Sequence, residues 1–363
     1  MPIDNEISNI VSKTNMYKEI FQQPNVVKQT LQDASKLFPD FLNLLEKNDN
    51  NLSIFGSGTS YHAGIAGSIA FSNIIGTYVS IDHASEWIYR YPSKVNKPGI
   101  VIAISQSGES GDVIRSAQHA KSQGLKLISV TNVLGSTLDE LGDLTFITPA
   151  GEEKAVAATK SYISALALLL DWAIELKQDH HIEQKNSLEE LRNIHFKMEK
   201  ILTKVEASIK EFSESLFKYN NVYFLGIGSN FSTALEGAMK LKETGNVYAE
   251  GFGFREFMHG HLQVVSNETP IILILSGEEA PSVIKLGVEH LENLGASIFI
   301  ITQTKEQSMK KNSNPNQLSL DEYVDPLMSP LTLVLPLQLL ACYNSKRRNL
   351  NPDKPSNLSK ITL

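Results

Sequence analysis

A hydroxyl-rich loop follows one short apolar segment of the chain. Residues 105–110 read SQSGES, and they lie between the apolar run 100–104 and a helical pattern that begins near Gly111. A loop in this position directs backbone N–H groups and the positive end of a helix at one point, and hydroxyl and amide side chains add donors. The loop is therefore predicted to bind phosphate through Ser105, Gln106, Ser107 and Ser110. The alternative, serines that only cap the helix, needs one hydroxyl rather than three and an amide.

A glycine turn earlier in the chain is predicted to contribute to the same site. Residues 56–60 read GSGTS after an apolar run, which places Ser60 at the start of a helix and within reach of the phosphate. The turn lacks the third glycine of a dinucleotide-binding loop, so it predicts no nicotinamide cofactor.

A second group of ionisable residues has helical spacing. Glu236, Lys240 and Glu243 lie at i, i+4 and i+7, which puts them on one helical face. The pattern alone leaves two interpretations open, a solvated salt-bridged surface and part of a site. The following loop carries His259 and His261, and no further ligand lies at metal-binding spacing, so an acid–base role is favoured over zinc.

The elements that position these groups occur twice. The run 52–55 before Gly56 recurs as 222–225 before Gly226, at an offset of 170 residues. Two further strand-like pairs, 100–104 with 271–275 and 127–130 with 298–301, are each offset by 171 residues. Short apolar runs that alternate with helical patterns predict two tandem α/β domains, each a doubly wound parallel sheet with helices on both faces. Ligands of such sheets bind beyond the carboxyl ends of the strands, where the serine loop falls.

The second copy of the serine loop differs in charge. At 276–279 it reads SGEE, with Glu278 and Glu279 in place of hydroxyl groups. Two carboxylates would repel a phosphate, so only the first domain is predicted to hold one.

The chain divides into five predicted segments. These are a helical lead-in (1–47) broken at Pro24 and Pro39, a first α/β domain (48–185), a connecting helix (186–217), a second α/β domain (218–345) and a C-terminal tail (346–363). The connecting segment is charged, amphipathic and free of Pro and Gly, which favours a helix over a loose linker.

Composition limits the possible partners. The 363 residues carry a formal net charge of −7, which argues against nucleic acid and anionic membranes because both need a basic face. The apolar stretches are shorter than the ~20 residues of a membrane helix. Cys342 is the single cysteine, and the polar N-terminus lacks the apolar core of a signal peptide. A cytoplasmic protein is predicted.

Several of these motifs, in this order, are similar to one known family. The chain resembles the isomerase half of glutamine:fructose-6-phosphate amidotransferase and the related stand-alone sugar-isomerase (SIS) domain proteins. The likeness is carried by EIFQQP at 19–24, GTSY at 58–61, the SQSGE loop, EGAMKLKE at 236–243 and NLSK at 357–360. The resemblance implies two tandem SIS domains, a homodimer with active sites near the subunit interface, a sugar-phosphate substrate, and no metal or redox cofactor.

The resemblance also implies a role for each matching residue. Glu243 matches the base that moves a proton between C1 and C2 of the sugar, His259 the group that opens the ring, and Lys360 the tail lysine that closes over the substrate. The substrate and phosphate contacts would be Ser60, Ser105, Gln106, Ser107, Ser110, Ala158 and Lys240. These roles are chemically coherent, since a carboxylate can abstract the acidified C2 proton of an open-chain aldose and nearby cations stabilise the resulting anion.

Departures from the family pattern bear on the reaction. The chain begins Met1-Pro2-Ile3 directly ahead of the SIS region, without the N-terminal cysteine of a glutaminase domain. Ala158, Met258 and His261 stand where the synthases of the family have Ser, Lys and Pro. The synthase reaction is therefore disfavoured.

The tail points to a particular branch of the fold. Residues 351–360 look more like the tail of the stand-alone glucosamine-6-phosphate deaminases, which predicts an isomerising deaminase that forms fructose 6-phosphate and ammonia. The alternatives are a fructosamine-6-phosphate deglycase, a ketose/aldose isomerase acting on a sugar such as tagatose 6-phosphate, and a non-catalytic sugar-phosphate sensor. A sensor would usually carry a further DNA-binding or partner domain, and a purely structural dimerisation module leaves the serine loop unexplained.

Overall fold

The protein is described by a computed structural model that covers residues 2–48, 51–76, 78–90, 99–177, 182–277, 279–303 and 316–360. It divides into two units, and the division falls within two long helices, α2 (Asn15–Lys47) and α8 (Ile182–Leu216). The serine-loop unit comprises Gln22–Glu153, Ala158–His195 and the chain from Ser359. The glutamate unit comprises the chain up to Phe21, Lys154–Ala157 and Phe196–Leu358.

A five-stranded parallel sheet forms the centre of the serine-loop unit. Its strands are β1 (Leu52–Gly56), β2 (Ser80–His83), β3 (Ile100–Ser105), β4 (Lys126–Thr131) and β5 (Leu144–Ile147). Their order in the sheet is β2-β1-β3-β4-β5, and every neighbouring pair is parallel. Strands β1 and β3 are buried along their whole length, as continuous apolar runs require.

Helices cover both faces of this sheet, because successive strand residues point to opposite sides. The helices are α3 (Thr59–Ile75), α4 (Ala84–Arg90), α5 (Gly111–Ser122), α6 (Thr137–Leu141) and α7 (Lys160–Glu175). On one face, Phe55 packs with Trp87 of α4 and Ala117 of α5. On the other, α3 approaches so closely that a Cβ at Gly64 would lie 3.2 Å from Ile54 Cγ2. The predicted doubly wound fold is confirmed.

The glutamate unit repeats this topology. Its strands are β6 (Asn221–Gly226), β7 (Tyr248–Gly253), β8 (Pro270–Leu275), β9 (Ser297–Gln303) and β10 (Gln317–Leu320). Read from the β7 edge, their order is β7-β6-β8-β9-β10, which matches the first sheet strand for strand, and all pairs are parallel. The internal repeat predicted from the sequence offsets is therefore a repeat of fold.

Helices also lie on both faces of the second sheet. They are α9 (Asn230–Gly245), α10 (Phe254–Phe257), the 3-10 helix His261–Val264, α11 (Pro281–Asn293) and α12 (Pro330–Arg347). Leu225 packs with Phe254 and Leu291 on one face. On the other face α9 and α12 meet, where Thr244 Oγ1 donates to Ala341 O at 3.2 Å. This contact buries α9, which carries the predicted charged residues.

Three helices lie outside the sheets, namely α1 (Pro2–Val11), α2 and α8. Pro24 and Pro39 lie inside α2, so the predicted helix break at these residues is wrong. A proline costs roughly 3 kcal/mol in a helix interior, and tertiary packing offsets it here. Phe41 of α2 stacks on Trp172 at 4.4 Å between ring centroids. No helix in the described ranges is long and apolar enough to cross a membrane.

Candidate active site

The serine loop is ordered by hydrogen bonds among its own groups. Gly108 N donates to Ser105 Oγ at 3.2 Å, and Ser105 Oγ donates to Ser110 Oγ at 3.2 Å. Glu109 N donates to Ser107 Oγ at 3.1 Å. Ser110 is the N-cap residue of α5, but its side chain makes no capping hydrogen bond. The interpretation of these serines as simple helix caps is therefore wrong. Ser110 Oγ instead accepts the hydrogen bond from Ser105 Oγ.

Only glycine fits at the tip of this loop. Gly108 has φ 68°, and a Cβ there would lie 2.1 Å from Ser136 Oγ. Leu138 N donates to Gly108 O at 3.0 Å, and Asn132 N donates to Gln106 O at 3.1 Å. These backbone bonds fix the loop against the segment that follows β4.

The one acidic residue of the serine loop has its charge engaged elsewhere. The carboxylate of Glu109 accepts hydrogen bonds from Thr137 N at 2.7 Å and from Thr137 Oγ1 at 2.9 Å. These two bonds, the backbone one first, lower the pKa of Glu109. Glu109 therefore ties the loop to the start of α6 and is not a free carboxylate among the serines.

A small, half-open cavity lies at the carboxyl ends of β3 and β4. Three of the predicted contacts line it, namely Ser60, Ser105 and Gln106. Four polar lining residues were not predicted: Thr131, Asn132, Thr148 and Ser161. Thr131 ends β4 and Thr148 follows β5 directly, so the rule that ligands bind beyond the carboxyl ends of parallel strands would have found both. Ser107, Ser110 and Ala158 do not line this cavity.

Close backbone approach positions Ser60 at the start of α3. A Cβ at Gly56 would lie 2.9 Å from the Ser60 carbonyl carbon, so a larger residue at position 56 would push the start of α3 away from β1. Ser60 N donates to Ser57 O at 3.1 Å, which closes the turn. The glycine of this turn therefore serves to bring Ser60 to the sheet edge.

The tail lysine and Ala158 are not among the residues that line this cavity. Ala158 is half-buried just before α7. Lys360 Nζ lies 3.7 Å from Oε2 of Glu153, a buried residue that sequence reasoning missed. No spacing rule links residues that are so far apart in the chain.

The predicted charged face of α9 is buried. Lys240 Nζ lies 2.6 Å from Glu243 Oε2 and 3.4 Å from Glu236 Oε1. The side chains of Lys240 and Glu236 are 0% exposed, and that of Glu243 is 21% exposed. The interpretation as a solvated surface is therefore wrong, because α12 packs over α9.

The two carboxylates keep Lys240 charged. Burial by itself lowers the pKa of Lys240, but the charges of Glu236 and Glu243 and their hydrogen bonds outweigh it and raise the pKa above the ordinary value. Glu243 is the one member of the three that is open to solvent, so it is the group that a ligand can reach.

The histidine loop follows α10 and is exposed. His259 is exposed, and its backbone N donates to Glu256 O at 2.9 Å. The ring of His261 lies 4.2 Å from that of Phe252. Met258 packs against the core of the glutamate unit. Among the residues that the structure describes, no group of three or more His, Cys, Asp or Glu side chains could hold a metal ion.

In the second copy of the serine loop, a glutamate of the loop itself accepts the hydrogen bonds of the loop donors. Ser276 N and Oγ donate to Glu279 Oε1 at 2.6 and 2.7 Å, and Gly277 N donates to Oε2 at 2.9 Å. Glu278 lies outside the described residues. An anionic group of the chain itself thus occupies these donors, which supports phosphate binding at the first loop alone.

Known proteins share both the sequence and the architecture. The chain is 32% identical over 348 residues to an isomerizing glutamine–fructose-6-phosphate aminotransferase of Thermococcus kodakarensis, covering 95% of this chain and 57% of that protein. It therefore spans little more than half the length of the curated relatives that it matches.

Two solved structures match over almost the whole chain. The C-terminal domain of glucosamine-fructose-6-phosphate aminotransferase from Francisella tularensis has a TM-score of 0.86 at 27% identity, covering 94% of this chain and 98% of that chain. A glucosamine-6-phosphate deaminase from Thermotoga maritima has a TM-score of 0.75 at 22% identity, covering 96% and 100%, a likeness of fold alone.

A family model matches both halves of the chain. The SIS domain model covers residues 44–174 and 215–344. Each matched range contains one complete five-stranded sheet. The chain belongs to the SIS domain family.

Proposed function

We propose that this protein is an isomerising deaminase that converts glucosamine 6-phosphate and water into fructose 6-phosphate and ammonia. The observation that carries the proposal is the pairing on α9: a solvent-accessible carboxylate, Glu243, is held 2.6 Å from the fully buried ammonium of Lys240. A carboxylate beside a fixed positive charge is equipped to remove a proton from carbon and to stabilise the anion that results.

The phosphate is assigned to the serine loop. Ser60, Ser105 and Gln106 line the cavity at the strand ends, and Ser107 and Ser110 belong to the same ordered loop. Hydroxyl and backbone donors at the start of α5 suit a dianion. The loop anchors the substrate, and the reacting carbons lie at the other end of the sugar.

The chemistry is assigned to Glu243 and His259. His259 opens the sugar ring, and Glu243 then takes the C2 proton of the free aldehyde and returns it at C1, while Lys240 stabilises the enediol-like anion. The product of this transfer is an imine at C2. Water adds to the imine carbon and ammonia leaves, which gives fructose 6-phosphate and balances every atom.

The remaining assigned residues close the site. Lys360 is assigned to the tail that folds over the substrate, and Ala158 to a contact that lacks the hydroxyl of the synthases. His259 is exposed in a single chain, which fits a homodimer whose active sites lie near the subunit interface. Ala158, Met258 and His261, which replace three synthase residues, favour deamination over synthesis.

The relatives support the substrate class. One is named for an isomerizing aminotransferase acting with fructose 6-phosphate, and one solved structure of the same fold is named for glucosamine-6-phosphate deaminase. Both names contain a hexose 6-phosphate, fructose 6-phosphate in one and glucosamine 6-phosphate in the other, which is the class that we assign to the serine loop and the α9 pair.

A substrate panel tests the proposal. Purified protein would be assayed for ammonia and for fructose 6-phosphate with glucosamine, galactosamine and fructosamine 6-phosphates, and for isomerisation with tagatose 6-phosphate. We expect stoichiometric ammonia and fructose 6-phosphate from glucosamine 6-phosphate. Preferred turnover of fructosamine 6-phosphate would assign a deglycase, turnover of tagatose 6-phosphate a simple isomerase, and binding without turnover a sensor.

A further inference from the structure

A buried carboxylate organises the start of α7. Glu153 Oε1 accepts hydrogen bonds from the backbone N–H groups of Thr159, Lys160 and Ser161 at 2.9, 2.7 and 3.2 Å. Glu153 Oε2 accepts from Ser161 Oγ at 2.7 Å. The carboxylate therefore satisfies N–H groups that a helix start leaves without partners.

Glu153 also meets the C-terminal tail. Lys360 Nζ lies 3.7 Å from Glu153 Oε2, and the side chains of the two residues are 28% and 0% exposed. A carboxylate removed from water is costly unless donors and an opposite charge compensate it. The helix start supplies the donors, and Lys360 supplies a charge.

Glu153 also hydrogen-bonds to a residue that lines the cavity of the serine loop. Ser161 lines the cavity of the serine loop and donates its hydroxyl to Glu153. One side chain thus separates the Glu153–Lys360 pair from the site where the phosphate is assigned.

We propose that Glu153 is a positioning residue that docks the C-terminal tail at the edge of the serine-loop cavity by pairing with Lys360. The consequence for turnover rests on the proposed function, because Lys360 is there assigned to closing over the sugar. The docking itself needs no substrate.

The substitution Glu153→Gln separates the two roles of this side chain. The glutamine carbonyl can still accept the three backbone N–H bonds, and the Ser161 hydroxyl can turn to accept from the new amide. The helix start is retained while the charge that faces Lys360 is lost.

The first measurement follows the reactivity of Lys360 without substrate. Purified protein is treated with an amine-acylating reagent, and mass spectrometry gives the acylation rate of Lys360 relative to the exposed Lys354 of the same tail. We expect this ratio to rise about threefold to tenfold in Glu153→Gln, because an ion pair protects the ammonium. Glu175→Gln, which removes a carboxylate at the end of α7 that pairs with Arg192 of α8, should leave the ratio unchanged. An unchanged ratio in Glu153→Gln overturns the docking role.

The second measurement is kinetic. Glu153→Gln should raise the KM for glucosamine 6-phosphate more than it lowers kcat, and it should add nothing when Lys360 is already replaced by Met. Additive effects of the two substitutions would show that Glu153 acts apart from the tail. If the wild type turns over no amino sugar phosphate, the proposed function fails, but the acylation ratio still decides the docking.

Wild-type protein provides a further test should Glu153→Gln fail to fold. Lys360 is 28% exposed, so added salt partly screens its pair with Glu153, and the acylation ratio of Lys360 to Lys354 should rise modestly with ionic strength. A ratio that does not respond to salt contradicts the pair.

Discussion

The two sheets share one strand order, yet the loops after β3 and β8 have opposite electrostatic character. The first loop offers hydroxyls and N–H groups and directs its one carboxylate, Glu109, to Thr137. The second folds Glu279 back onto Ser276 and Gly277, so that its donors are already occupied by an anion. Equal topology therefore does not give equal loops, since the donors of the second loop already hydrogen-bond to a carboxylate of the chain.

The helices that follow β1 and β6 also differ, here in the charged residues that they carry. Helix α3 is largely apolar, and its first turn contributes Ser60. Helix α9 carries the buried pair of Lys240 and Glu243. In the proposed reaction, the phosphate is assigned to the first domain and the base to the second.

The largest expected effect comes from the reactive side of this comparison. Glu243→Gln should lower kcat by a factor of about 10² to 10⁴, because it removes the base while preserving size. Binding of a non-reacting sugar phosphate such as glucitol 6-phosphate, measured by calorimetry, should be unchanged. Glu279→Gln, in the second copy of the serine loop, serves as the control and should keep full turnover. Equal losses in the two variants would refute the division between the domains.

The next largest effect is expected at Gly108, at the tip of the serine loop. Gly108→Ala should lower the free energy of unfolding by about 2–4 kcal/mol. An alanine is strained at the positive φ of this position, and its Cβ would collide with Ser136. Gly124→Ala is the matched control, since Gly124 has φ 80° but no atom within 4 Å of a Cβ. It should lose only about 1 kcal/mol. Denaturant titration measures both, and similar losses would show that the contact with Ser136 is unimportant.

Substitutions at equivalent positions of the two loops test whether both bind the ligand. Ser105→Ala should weaken binding of glucitol 6-phosphate about fivefold to tenfold, the effect of one lost hydrogen bond. Ser276→Ala, at the equivalent position of the second loop, should leave that affinity unchanged. Calorimetry measures both, and a weaker affinity in Ser276→Ala would mean that the second loop binds the ligand.

The smallest expected effect is a pH dependence of stability. The pKa of Glu109 is lowered from 4.5 in the folded state, so its contribution is present above pH 4.5 and is lost as pH falls through the lower folded value. The wild type should have a higher thermal midpoint than Glu109→Gln near neutral pH, and this difference should vanish in acid. A constant difference across the range would show that Thr137 does not stabilise the charge.

Sequence patterns were sufficient for the topology and for part of the site. Strand offsets of 170 and 171 residues revealed the repeat, and the rule on strand ends brought Ser60 and Ser105 to one cavity. Both inferences depend on local periodicity and on which end of a strand a residue follows, which the sequence states directly.

Long-range packing set the limit of these predictions. The burial of Lys240 depends on α12, which no local pattern pairs with α9. The part of α2 that contains Pro39 packs through Phe41 on the distant Trp172. The pairing of Glu153 with Lys360 joins two distant parts of the chain. Charge periodicity on a helix does not report whether another helix covers it.

The most direct test follows the C2 hydrogen of glucosamine 6-phosphate. With the substrate deuterated at C2, isomerising deamination predicts a slowed release of ammonia and fructose 6-phosphate that carries deuterium at C1 in the part of the product that has not exchanged with solvent. Glu243→Gln should form both products about 10² to 10⁴ times more slowly. Deuterium retained at C2 in any product, or no ammonia at all from the wild type, would contradict proton transfer by Glu243.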